Sequence, residues 1–321
     1  MSIVEEQSCS YMPDYPQKLC CYNNSKDDNC ERTQLRLCPI LSTKLLLLIK
    51  MMDPNVYIKY NRLQNELTKR FCKDLTLDPD WREISLKTVM DIGCGPGNTS
   101  TYWMDHFFPK IQKLIGVDID PGMINLAKEK NTKKNIEYYV ADIMKKESLQ
   151  EWEGRIDRIL STYVFHRVGD QKMAFRNLFD LLRDTGVASI GFLVKGPFYF
   201  AFRDLLETNK WKPILDPTNM TYPEAMVKGY DLEFYRQLFE DIGFSVSCCE
   251  MRPVIFSYES DEECKNLLLS LHYLGEVSDE LKEEYKEDIF QQFVKHSPRD
   301  SEGHPTHNAI ILHAKLTKKK L

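Results

Sequence analysis

Val89-Met90-Asp91-Ile92-Gly93-Cys94-Gly95-Pro96-Gly97 is the stretch that decides the fold. An apolar run, Thr88–Ile92, reads as a strand and passes directly into three glycines at alternate positions, after which a helix is expected through about Phe107. A turn from strand to helix needs residues that tolerate positive φ and let a ligand approach the backbone; Gly93, Gly95 and Gly97 meet both needs. The triplet alone is weak, because several nucleotide-binding folds share it. Its weight comes from what surrounds it.

Working outward, strands and helices alternate. Leu114–Asp118 reads as a second strand, followed by a helix opening at Asp120-Pro121-Gly122-Met123. Ile136–Val140 is a third strand and Ile156–Tyr163 a fourth. Asp170 opens an amphipathic helix (Met173, Leu178, Leu181, Leu182) that stops at Gly186, and Val187–Val194 is a fifth strand. Such alternation argues for βαβ units and a parallel, twisted sheet. Beyond it come an aromatic, proline-containing stretch over residues 198–230, a helix at Leu232–Ile242 and a strand around Phe244–Glu250. A helical stretch over residues 261–295 and a last strand, Ala309–Leu316, complete the pattern. Ahead of the loop, Tyr57, Tyr60, Gln64, Leu67 and Phe71 share one helical stripe. The expected whole is one α/β domain whose helical insertions roof a pocket.

The bulk properties agree. Of 321 residues, 42% are hydrophobic and 28% charged, as in ordinary globular proteins. A net charge of −5 argues against a surface built to grip nucleic acid. No apolar run approaches the ~20 residues that span a bilayer, and Glu5 and Glu6 stand where a secretory signal would be basic. The expectation is a cytoplasmic protein with no membrane or nucleic-acid partner; a homodimer stays open. Residues 1–50 lack periodicity and hold Cys9, Cys20, Cys21, Cys30 and Cys38, read as reduced thiols. Met51-Met52-Asp53-Pro54 looks like a fresh beginning, with Asp53 a helix cap and Pro54 in the first turn. We therefore expect a disordered extension or upstream start over 1–50 and the folded enzyme over 51–321.

Three acidic or polar positions follow the loop in order. Asp118 ends the second strand about 20 residues on, where a carboxylate accepts both ribose hydroxyls of a nucleotide. Asp142, within Ala141-Asp142-Ile143, ends the third strand and suits an adenine amino group. Thr162-Tyr163 ends the fourth. Ligands of open α/β sheets bind outside the carboxyl ends of the strands, and all these positions share that edge. A nicotinamide dehydrogenase is the nearest competitor, but its GxGxxG pattern would need glycine at Asn98, and it does not require Asp142. Order and spacing favour S-adenosylmethionine, held by Asp91, Gly93, Cys94, Gly95, Gly97, Asp118, Ile119, Met123, Ala141, Asp142, Ile143 and Thr162.

Two further stretches, Tyr57–Gln64 and Phe165–Phe179, together with Val89–Gly97, Val117–Pro121 and Val140–Ile143, resemble juvenile hormone acid O-methyltransferase and its relatives. The resemblance runs from about Met52 onward, loosest after residue 195. It implies a Rossmann-like class I methyltransferase with a seven-stranded, mostly parallel sheet. It also implies methylation of an apolar small acid, such as farnesoic or juvenile hormone acid, to a methyl ester in juvenile hormone biosynthesis. The family's carboxylate-holding glutamine corresponds to Gln64. Its tryptophan, which follows a histidine, is replaced: this chain keeps His166 but carries Arg167. The implied catalytic pair is Gln64 and His166, and the acceptor is lined by Gln64, Tyr163, His166, Arg167, Phe198 and Trp211.

A carboxylate is already ionised at neutral pH and needs no general base, so the protein's task is placement. Alternatives stay open. An amine or phenol acceptor would need His166 or Tyr163 as base, and a non-catalytic binding protein would keep the fold with the acceptor site disabled by Arg167. Gln64 and His166 could each simply satisfy a buried group, and Phe198, Phe200, Phe202 and Trp211 are more often core than pocket. His304 and His307 lack further ligand partners, so no metal is expected, and Lys318-Lys319-Lys320 reads as a solvated tail.

Overall fold

Alternation along β1 (Thr88–Ile92) sends Val89 into one hydrophobic cluster and Met90 and Ile92 into another, because successive side chains of a strand point to opposite faces. The same split recurs across a sheet of seven strands in the order β3-β2-β1-β4-β5-β7-β6. The others are β2 (Lys113–Asp118), β3 (Ile136–Val140), β4 (Ile156–Thr162), β5 (Leu182–Lys195), β6 (Phe244–Ser257) and β7 (Thr306–Lys318). β1 to β5 pair in parallel, while β7 runs antiparallel to both β5 and β6. These features come from a computed structural model that describes residues 54–82, 87–107, 110–217, 220–271 and 277–319, apart from the side chains of Val56 and Arg82. The expected extension over 1–50, its cysteines, the restart at Met51-Met52 and the Asp53 cap lie outside the described residues.

One face carries α2 (Arg62–Leu75), α3 (Asn98–His106) and α4 (Pro121–Lys130), whose Phe71, Trp103 and Ile124 pack on Val89, Leu114 and Leu160. The other carries α5 (Gln171–Leu181), α7 (Glu224–Lys228) and α8 (Leu232–Ile242), whose Phe175, Leu178, Ala225 and Phe239 share a cluster with Met90, Ile159 and Phe192. Helices therefore cover both faces, as expected. A third apolar cluster joins α6 (Pro197–Leu206), α9 (Asp261–Leu271) and α10 (Lys282–His296) to Leu63 and Leu67 of α2 and to Leu193, Phe256 and Ile311 of the sheet.

Several boundaries shift for identifiable reasons. The stripe expected as one helix is two, α1 (Pro54–Tyr60) and α2, parted at the buried turn residue Asn61. Asp170 does cap α5, accepting from the Met173 amide, but Met173 itself is 45% exposed and the helix ends at Leu181. Lys318 donates to the carbonyls of Phe179 and Leu182, and Leu182 already pairs with Ile156 of β4. β6 extends past Glu250 through Pro253, which the ladder tolerates because β6 is an edge strand. No helix among the described residues is long and apolar enough to cross a membrane.

Candidate active site

The glycine loop opens where β1 ends. Gly93 has φ +73°, and a Cβ there would lie 2.1 Å from a Val164 methyl. Gly97 has φ +79°, and its added carbon would stand 2.6 Å from the Tyr138 hydroxyl. Both positions combine left-handed backbone with a close neighbour, so only glycine fits. Asp118 ties the loop down: its carboxylate accepts from the Gly95 amide at 2.9 Å and from the Asp120 amide at 2.9 Å. Two amides leave lone pairs of that carboxylate for a ribose. Beneath the loop, fully buried Asp91 accepts from the Ser100 hydroxyl. Burial pushes the Asp91 carboxyl up to about 7 against the Ser100 hydrogen bond, with the Asp118 charge adding to the rise. Asp118 is raised too, chiefly by burial.

At the ends of β2 and β3, Ile119 is 37% and Val140 50% exposed, large apolar side chains left bare on the strand-end edge. Two residues after Val140 comes the half-buried Asp142, whose carboxylate accepts from the Met144 amide at 2.9 Å and lies 3.7 Å from the Lys145 ammonium. Bare apolar side chains and a carboxylate on one strand-end edge suit a flat base with an amino group, and the donor set as a whole fits S-adenosylmethionine. Cys94, Met123, Ala141 and Ile143, counted with that set, are buried. Cys94, Ala141 and Ile143 turn their side chains into the core clusters, so what they offer a ligand is backbone.

The acceptor side is built by α2 and the end of β4. Thr68 and Thr162 share a hydroxyl hydrogen bond of 3.0 Å, which joins helix to strand. Tyr163 then takes φ +62°, rare for a side-chain-bearing residue, while its amide donates to Gly191. His166 sits in the turn Phe165–Arg167, whose Phe165 carbonyl accepts from Gln171, itself bonded by the Tyr235 hydroxyl. The His166 ring lies 6.2 Å from the Tyr163 ring and 6.5 Å from that of Tyr199. Gln64 Oε1, the Tyr163 hydroxyl and His166 Nδ1 are buried with no hydrogen-bond partner. Burial, then the Arg167 and His307 charges, hold the His166 imidazole well below its ordinary pKa; burial pushes the Tyr163 phenol upward.

Arg167 is exposed and has no ion-pair partner among the described residues. Its charge reaches Tyr57, Tyr199 and His166, so it stands over the site rather than away from it. Phe198 is buried in the cap cluster beside Tyr199, with ring centroids 5.5 Å apart. Trp211, also expected to line the acceptor, is buried in the same cap cluster. Its indole N–H donates to Asp288 at 2.8 Å and its ring packs edge-on against Tyr285, so its hydrogen bond serves the cap framework.

Residues 89–186 match the methyltransferase domain family. Juvenile hormone acid O-methyltransferase of Drosophila melanogaster is 26% identical over 257 residues, covering 79% of this chain and 86% of that protein. The Bombyx mori protein of the same name is 24% identical and covers 74% and 84%. The chain has the fold of the class I methyltransferases and is similar in sequence to these proteins. Malonyl-[acyl-carrier protein] O-methyltransferase of Bacillus anthracis is 31% identical over a shorter span, 41% of this chain and 46% of that one. Among solved structures, the YcgJ protein of Bacillus subtilis superposes with a TM-score of 0.53 at 16% identity, covering 79% of this chain and 100% of that one, and shows the shared fold.

Two residues of this methyltransferase's site were not legible in its sequence. Tyr57 of α1 lies across the loop, its ring 3.8 Å from where a Gly95 Cβ would be, with its phenol pushed up to about 12, mainly by burial. Its position in the helical stripe was visible, but what it faces was not. Val140 reads in sequence as one more strand residue, and only its exposure marks it.

Proposed function

We propose that this methyltransferase transfers a methyl group from S-adenosylmethionine to the carboxylate of an apolar small acid, giving a methyl ester. The observation that carries the reading is the burial of the acceptor side. There, among the described residues, Gln64 Oε1, the Tyr163 hydroxyl and His166 Nδ1 have no hydrogen-bond partner and no charged group to act as a base. A general base works best with a pKa near the operating pH, yet His166 is held well below and Tyr163 pushed above theirs. An acceptor that arrives ionised needs neither. The relatives named as O-methyltransferases of juvenile hormone acid support the same class.

When bound, S-adenosylmethionine supplies a methyl on sulfonium, whose departure requires no proton. The chain's residues do the rest. Asp118 and Asp142 hold the nucleoside, and Asp91 supplies negative charge beneath the loop. The Gln64 side chain orients the acceptor; the two ends of an amide are told apart only by their partners, so its donor end can face a carboxylate. His166, neutral, provides a second hydrogen bond. Solvated Arg167 draws anions to the mouth without clamping them, which leaves the attacking oxygen reactive.

The test is transfer of labelled methyl to a panel of farnesoic acid, juvenile hormone acid, saturated fatty acids, amines and phenols. Base-labile label on an acid is expected, at a rate that stays flat from about pH 6 to 9 when S-adenosylmethionine is saturating. Gln64→Leu should lower kcat/KM on that acid by about 10- to 100-fold with cofactor affinity kept, the range of one hydrogen bond to a charged group. Label on amines or phenols alone, rising with pH, would overturn the reading.

A further inference from the structure

Gln64, Tyr163 and His166 are not the only buried polar groups without partners near this site. Tyr258 OH, at the end of β6, and His307 Nε2, in β7, are in the same condition. Phe256 pairs with His307 across the antiparallel ladder, and Tyr258 lies two residues on, so Phe256, Tyr258 and His307 share a face. That face meets the cap cluster: His307 stacks on Phe293 at 6.3 Å and Tyr258 meets the same ring at 6.3 Å. The two unpartnered atoms thus flank one phenylalanine. They also lie within electrostatic reach of the reaction side, His307 of His166 and Tyr258 of Tyr163. His304, read beside His307 in the sequence, sits apart on a turn that it shares with Asp300.

Unpartnered polar atoms in an apolar wall cost stability, and two around one ring mark a place where something else supplies the hydrogen bonds. We propose that His307 and Tyr258 form a second polar contact in the acceptor pocket, hydrogen-bonding a hydroxyl or carbonyl on the acceptor's chain, away from its carboxylate. The inference rests on the reading of the acceptor as an apolar acid. The partner is neutral because both residues are: burial brings the His307 imidazole down to about 4 and raises the Tyr258 phenol. A neutral imidazole nitrogen either donates or accepts according to tautomer, and a phenol does both, so a hydroxyl can give to one and take from the other.

The experiment compares dodecanoic acid with a chain-hydroxylated dodecanoic acid, on the wild type, His307→Phe and Tyr258→Phe. Binding of each acid in the presence of S-adenosylhomocysteine is read by calorimetry, and ester formation separately. The wild type should favour the hydroxy acid by about 2- to 10-fold, one net hydrogen bond. Each variant should lose that preference while binding the plain acid and the cofactor product as before. Equal preference in wild type and variants would overturn the inference, as would a loss shared by both acids, which means a framework role or a bound water. Tyr258→Phe keeps the ring and guards against misfolding of the histidine variant. If both acids bind with the expected preference but neither is esterified, the carboxyl-methylation reading fails and this one stands.

Discussion

Replacing Asp91 by asparagine should stabilise the protein while damaging it as a methyltransferase, and the two effects have different pH signatures. Asp91 is fully buried, and its carboxyl rises from an ordinary 3.8 to about 7. Because the folded pKa is the higher one, the fold favours the protonated acid. Its stability is undiminished below pH 3.8 and erodes as pH rises towards 7. At about 1.4 kcal/mol per tenfold step, the ionised group costs up to about 4 kcal/mol above neutrality. Asparagine keeps an acceptor for Ser100 and carries no charge. The variant's stability advantage should therefore grow by about 2.5 kcal/mol between pH 5 and pH 8. Any constant penalty from the new amide hydrogens shifts the whole curve and leaves that slope intact. Urea denaturation of both proteins across this range measures it. Affinity for S-adenosylmethionine at pH 8 should fall by about 10- to 100-fold, the range of one charge-assisted contact. A pH-independent difference would refute the account of Asp91 as a buried anion kept for a cationic ligand.

Gly97→Ala should cost about 2–4 kcal/mol, from left-handed backbone and a clash with Tyr138, and Tyr138→Phe should not rescue it because the ring carbon also stands 2.8 Å away; thermal unfolding of the pair decides. Trp211→Phe should lose about 1–2 kcal/mol with the Asp288 hydrogen bond while leaving the acceptor KM unchanged, which kinetics beside a melting curve will show. Phe175→Ala, in the core between Phe165 and Phe239, should cost about 3–5 kcal/mol and move neither KM by more than about twofold at temperatures where the variant stays folded.

The sheet and its order of helices were legible because each parallel strand announces itself twice, by an apolar run and by the turn residue after it. Asp120 and Asp170 both cap the helices their positions suggested, and Gly93 and Gly97 occupy the backbone that their spacing implied. What stayed hidden depends on partners distant in the chain. Asp288 makes Trp211 a framework residue, and nothing near Trp211 signals it. Tyr57 matters because α1 lies on Gly95, a tertiary fact. His307 was weighed against its neighbour His304, whereas the structure sets it near His166. Pro253 concealed half of β6, since a proline ends a strand except at an edge, and edge position is a property of the assembled sheet.

The antiparallel β7 has a consequence for how the chain is made. β7 lies between β5 and β6, pairing with β5 from Ile310 to Thr317 and with β6 from end to end, while among the described residues β6 has no other strand beside it. During synthesis, the five parallel strands leave the ribosome before β6 and β7 do. β6 cannot join them. Its strand partner arrives only after α9 and α10, whose cluster also takes in Phe256, have been translated. The edge of the sheet that carries Tyr258 and His307 is therefore the last to close.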